Sequence, residues 1–140
     1  MSTPVRITMP YRVPYADTDQ MQVVYYANYL TLFERARNEL MRTCGYTYLE
    51  LERDGFALPV LEAHVNYHAP ATYDDLLEIH AWCDVFKGVR LTIHCEVWRD
   101  NVLLAEGYTV HAHVNRETLR PSRPHIALLT ALGMLKTSPL

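Results

Sequence analysis

The sequence predicts an α+β domain in which one long helix packs on an antiparallel sheet. Three observations carry that prediction. An amphipathic stretch runs from Tyr29 to Cys44, four runs of strict apolar–polar alternation follow it, and turn signals separate those runs. Consecutive strands joined by tight turns pair antiparallel, and such a sheet buries one face by wrapping a helix.

The first strand is expected over Val5–Tyr15, where Val5, Ile7, Met9 and Tyr11 alternate with Arg6, Thr8 and Pro10. Pro10 and Pro14 cannot donate to a ladder, which marks an edge or a bend. In the main helix Tyr29, Leu32, Phe33, Ala36, Leu40, Met41 and Cys44 fall on one face, and Glu34, Arg35, Arg37, Asn38 and Arg42 mostly on the other. Asn28 is the expected N-cap and Gly45 the stop, free to adopt the left-handed conformation. Tyr48–Arg53 predicts a short second helix ending at Asp54-Gly55.

The four alternating runs place Leu61, Val65 and Tyr67, then Leu77, Ile79 and Cys83, then Leu91, Ile93 and Cys95, then Tyr108, Val110 and Ala112 on buried faces. Turns are expected at Tyr73-Asp74-Asp75, Lys87-Gly88 and Asp100-Asn101, and a final helix over Ile126–Leu135. No repeat, linker or low-complexity tract divides the chain, so residues 1–140 read as one domain.

Composition narrows the function. A net charge of −3 with no basic tract argues against a nucleic-acid partner. Cys44, Cys83 and Cys95 are odd in number and lack C-x-x-C spacing, as befits reduced buried thiols rather than disulfides or zinc ligands. No run approaches a membrane span and no signal-peptide pattern opens the sequence, so a cytoplasmic protein is expected.

Chemistry concentrates between the first strand and the main helix. Asp17 and Asp19 precede the helix start. They suit a loop that favours the helix dipole. They also suit thioester hydrolysis, which needs a carboxylate to attack the carbonyl or activate water, and amide donors for the oxyanion. A helix N-terminus presents free N–H groups for that second task. Spacing alone does not choose between the two.

Tyr15-Ala16-Asp17-Thr18-Asp19, then Val24-Tyr25-Tyr26-Ala27-Asn28-Tyr29 and Phe33-Glu34-Arg35-Ala36-Arg37, resemble the signature of the 4-hydroxybenzoyl-CoA thioesterase family, in particular its YbgC-like acyl-CoA branch. The likeness continues through Tyr67-His68-Ala69-Pro70-Ala71-Thr72-Tyr73-Asp74-Asp75-Leu76-Leu77-Glu78-Ile79, and more weakly at Arg120-Pro121. The resemblance implies the hot-dog fold, hydrolysis of an acyl-CoA or acyl carrier protein thioester, and no metal or organic cofactor. It implies Asp19 as catalytic carboxylate, the Tyr26 backbone amide as oxyanion donor, and Tyr15 as a tyrosine that lines or orients the site. Tyr25 and Asn28, in the same motif, are expected substrate contacts, and Asp17 is structural. It further implies a homodimer or homotetramer with sites at subunit interfaces.

Two departures stand out. Tyr26 occupies a position where many YbgC-like members have His, and Gln20-Met21-Gln22-Val23 replaces a loop that is often Gly-rich. With no phosphate-binding loop in the chain, Lys87, Arg90, Arg116, Arg120 and Arg123 are the candidates for CoA phosphates.

Rival readings remain. His80, His94, His111 and His113 sit in the polar phase of neighbouring strands, where a face packed on another subunit is favoured over a metal site. Glu34 and Glu39 are alternative acids, though a solvated helix face with Arg partners explains them. A hot-dog hydratase or dehydratase pairs His with an acid, yet Pro14–Cys44 contains no His. A non-catalytic acyl-thioester-binding module is the third possibility.

Overall fold

The structure, a computed structural model, describes residues 5–134. Seven strands and three helices follow in chain order: β1 (Arg6–Arg12), α1 (Asn28–Cys44), α2 (Tyr48–Arg53), β2 (Phe56–Ala57), β3 (Val60–Tyr67), β4 (Leu76–Lys87), β5 (Arg90–Arg99), β6 (Val102–Ala112), β7 (Val114–Asn115) and α3 (Ile126–Ala131). Five strands form one antiparallel sheet in the order β1-β4-β5-β6-β3, and β2 pairs with β7. Helix α1 lies across the inner face of this sheet, the arrangement of the hot-dog fold.

Leu32, Phe33, Ala36 and Leu40 of α1 bury against Leu77, Ile79 and Ala81 of β4 and Leu91, Ile93 and Cys95 of β5. Each large side chain so buried contributes roughly 1.5–3 kcal/mol, so packing rather than intrinsic propensity holds the helix. Gly45 closes α1 with φ of 85°, and its amide returns to the Arg42 and Met41 carbonyls. Two-residue turns at Gly88-Val89 and Asp100-Asn101 join β4 to β5 and β5 to β6.

Several expectations need correction. β1 is an edge strand, but it stops at Arg12, and Tyr15–Asp17 forms a 3-10 turn instead. Asn28 is not the N-cap. Ala27 holds that place with helical angles, and Asn28 opens the helix with its Nδ2 donating to the Asp17 carbonyl at 2.9 Å. α3 ends at Ala131, before a left-handed Gly133, and the expected Leu135 lies outside the described residues.

The phase of β6 is inverted. Pairing sets His111 opposite Leu91 and Thr109 opposite Ile93, both inward, while Tyr108 faces His94 on the outer surface. His111 and His113 are fully buried, so neither belongs to an outer histidine face. Arg37, assigned by periodicity to the polar face of α1, has a side chain only 12% exposed. β3 keeps the expected phase from Ala63 to Tyr67, past a bulge at Leu61, but not the expected cover: Ala63 and Tyr67 point inward yet stay exposed, because α1 lies chiefly over β4 and β1 and leaves a groove beside β3.

Candidate active site

The loop before α1 is tied at both ends. The Asp17 carbonyl accepts from the Tyr25 amide at 2.9 Å and from Asn28, while the Asp17 carboxylate accepts from the Tyr11 hydroxyl. Asp17 is therefore spent on holding the loop to β1 and α1. Burial, then Asp17, pushes the Tyr11 phenol up to about 12. Val24 docks through its amide on the Ala71 carbonyl at 2.8 Å, and Val23 bridges Thr72.

Asp19 sits in the tight turn between these anchors. Its amide donates to Val23, its carbonyl accepts from Gln22, and its Oδ1 accepts from the Met21 amide at 2.8 Å. Oδ2 has no partner among the described residues. Gln22 has φ of 65°, in the region that favours glycine. A glycine-rich version of this turn would be relaxed there.

Asp19 lines two adjoining pockets. One, of about 320 Å³, is bounded by Tyr26, Tyr29, Tyr67 and His68. The other, of about 480 Å³, is bounded by Tyr15, Met21 and Tyr73. Among the described residues the Tyr26 amide, one residue before the Ala27 N-cap, donates to no carbonyl or side chain. The Tyr67 hydroxyl donates to the Tyr26 carbonyl at 2.8 Å and fixes the entry into α1. Tyr29 and Tyr67 meet edge to face at 5.2 Å, and the Tyr25 and Tyr26 rings are tilted against each other at 4.7 Å. The Tyr26 phenol raises the pKa of Tyr25, and burial raises those of Tyr29 and Tyr67. These three phenols are hydrogen-bond donors at neutral pH, not bases.

The site thus gathers Asp19, Tyr26, Tyr15 and Tyr25. Asn28 lies beside it, its amide spent on Asp17. The five bases lie elsewhere. Lys87 and Arg90 flank the β4–β5 turn, roughly 36 Å along β4 from Leu76, whose end of the sheet carries the Asp19 loop. Arg116 pairs with Glu52 at 3.8 Å beside β2 and β7, and Arg120 and Arg123 follow on the same side. Glu39 pairs with Arg42, and Glu34 stands 3.9 Å from Arg37, both outside the two Asp19 pockets.

The motif left two site residues unassigned to chemistry, Tyr67 and His68. They enter from the end of β3, and no local pattern links them to Asp19. His68 lies 3.2 Å from Glu106. Among the described residues no three metal-ligating side chains converge, and no helix is long and apolar enough to cross a membrane.

Residues 13–132 match the family model described as the thioesterase-like superfamily. The chain belongs to that superfamily. It is a thioester hydrolase of the hot-dog fold, on the YbgC-like branch. It is 34% identical over 113 residues to the acyl-CoA thioester hydrolase YbgC of Escherichia coli, covering 80% of this chain and 84% of that protein. Identity to the acyl-CoA thioesterase YbgC of Haemophilus influenzae is also 34%, over 81% and 85% of the two chains. Among solved structures, the DHNA-CoA thioesterase of Staphylococcus aureus superposes with a TM-score of 0.80 at 28% identity, over 84% of this chain and 80% of that one.

Proposed function

We propose that this chain hydrolyses acyl-CoA thioesters at Asp19. One observation carries the reading: a carboxylate with a free oxygen and an unused amide just before the N-cap of α1 share one tyrosine-lined pocket. Asp19 attacks the carbonyl carbon, or takes a proton from water that does. The Tyr26 N–H receives the oxyanion, whose collapse expels the thiolate. Water supplies the hydroxyl of the acid and the proton of the thiol. The names of the relatives support CoA as the thiol carrier, and an acyl carrier protein offers the same thioester chemistry.

Asp19→Asn tests this. It keeps the size of the side chain and its acceptor for the Met21 amide, so the fold should stand while kcat falls by about 10²–10⁴. A folded variant with native turnover would remove Asp19 from the mechanism.

Assembly belongs to the same reading. The inner residues of β3 are exposed along an open edge, with Val60 53%, Leu61 52% and Tyr67 49% exposed, the kind of edge proteins pair or cover. A second copy pairing antiparallel through β3 would set one chain's Val60 end beside its partner's Tyr67 end. That brings the end of the sheet carrying Arg90 and Arg116 toward the partner's Asp19, which gives the distant bases a route to CoA phosphates. A mass corresponding to one chain by light scattering at micromolar concentration would contradict it.

His68 favours a second reading, hydration of an enoyl thioester, because it places an imidazole in the Asp19 pocket. Thiol release without hydroxyacyl product from an enoyl-CoA decides for hydrolysis.

A further inference from the structure

The α1–β3 groove continues past the Asp19 pocket into a separate cavity of about 300 Å³. It is lined by Leu30, Glu34 and Arg37 of α1, Val60 and Ala63 of β3, and Thr109 of β6. Arg37 is the unexpected resident. A buried guanidinium needs a counter-charge and hydrogen-bond partners. Glu34 stands 3.9 Å from Nη2, beyond hydrogen-bond reach, and its own side chain is 62% exposed. Nη1 lies 3.4 Å from His111 Nε2. Nε is buried with no partner among the described residues.

His111 does not supply the missing charge. Its Nδ1 lies 3.0 Å from the Leu58 carbonyl oxygen, which only accepts, so Nδ1 carries the proton. Nε2 is then a lone-pair acceptor, met by the Thr109 hydroxyl at 2.8 Å and by Arg37. Nη2 is therefore the guanidinium nitrogen left for a ligand in the cavity walled by Leu30, Val60 and Ala63, while Nε is enclosed beside it. A guanidinium N–H donating to a carboxylate makes a charge-assisted hydrogen bond, roughly twice as strong as a neutral one.

The two pockets lie in series. From Tyr29 to Arg37 the helix rises about 12 Å, and from Tyr67 to Ala63 the strand covers about 13 Å. An extended methylene chain spans such a gap in roughly ten bonds at ~1.3 Å each. We propose that the groove takes an acyl thioester whose far end carries a carboxylate, bound by Arg37 while the thioester sits at Asp19. This rests on the hydrolase reading above. Glu34 screens the guanidinium in the free protein and swings into solvent when the ligand carboxylate arrives.

The test compares CoA thioesters of dicarboxylic acids of about 8–12 carbons with methyl-ended acyl-CoAs of equal length, read as thiol release. An apolar groove without Arg37 would reject a carboxylate, because an unpaired charge is costly to desolvate. The native protein should favour the carboxylate-ended series by about 10-fold or more in kcat/KM, chiefly through KM. Arg37→Gln should push that ratio below one, and Glu34→Gln should raise it. If Arg37→Gln does not fold, Arg37→Lys, which keeps the charge and loses the Nη2 donor, should lower the ratio. Native preference for methyl-ended chains at every length overturns the inference and leaves the hydrolase reading standing. A preference that survives Arg37→Gln also overturns it. Cleavage of neither series removes the hydrolase reading and this inference with it.

Discussion

His111 makes stability acid-labile in a way that can be worked out from its surroundings. The ring is fully buried, and both nitrogens are committed in the neutral form, one to Leu58 and the other to Thr109 and Arg37. Burial, with the Arg37 charge adding to it, lowers its pKa from 6.5 to about 4. The unfolded chain protonates this residue near pH 6.5, whereas the folded chain resists until pH 4. Between those values the unfolded state binds more protons, so stability rises with pH. The contribution is fully present above pH 6.5 and lost as the pH falls toward 4. At 1.36 kcal/mol per unit, a gap of that size amounts to about 3 kcal/mol. Urea unfolding of the native protein and of His111→Gln, at one protein concentration and at steps from pH 4 to 8, isolates the effect. The variant starts less stable at pH 8 because it loses the ring. The two stability curves should then converge by about 3 kcal/mol toward pH 4. Parallel curves would show that His111 does not hold a depressed pKa, and the tautomer argument for Arg37 would fall with it.

Tyr26→Phe should keep most of its activity, because the proposed donor is the backbone amide; a loss of about 10²-fold in kcat, recovered in Tyr26→His, would instead assign chemistry to the side chain. Tyr67→Phe removes a single neutral hydrogen bond to the Tyr26 carbonyl, so kcat should fall by about 3- to 10-fold with KM nearly unchanged; an unaltered kcat would show that the α1 entry is held without it. Removing the charges at Lys87, Arg90, Arg116, Arg120 and Arg123 should raise KM for acyl-CoA and spare kcat, the mark of uniform binding; five unchanged KM values would place the nucleotide elsewhere.

What the sequence made legible was local. Asp19, Tyr25 and Tyr26 are neighbours in the chain, and a turn followed by a helix start brings them together without help from the sheet. Tyr67 and His68 reach the same pocket from 41 or more residues away, through the register of β3 on β6, and no short spacing encodes that. The inversion of β6 has a related cause. Alternation of Tyr108, Val110 and Ala112 with Thr109, His111 and His113 reads as apolar inside and polar outside, provided polar side chains have no partners inside. Here they do: Thr109, His111, Arg37 and the Leu58 carbonyl satisfy one another around a single buried ring. A tyrosine, by contrast, stacks well on the outer face, where Tyr108 lies against His64 at 5.3 Å. Binary patterning therefore chose the wrong side of β6, and with it concealed a buried guanidinium–imidazole pair along the groove. The inversion also explains why the groove is polar at its far end. With Thr109 and His111 turned inward, the inner face beyond Ala63 offers His111 Nε2 as an acceptor for Arg37 in place of a hydrocarbon wall. Glu34, 3.9 Å away and largely exposed, screens that guanidinium without hydrogen-bonding it, and an arriving carboxylate would supply the direct partner.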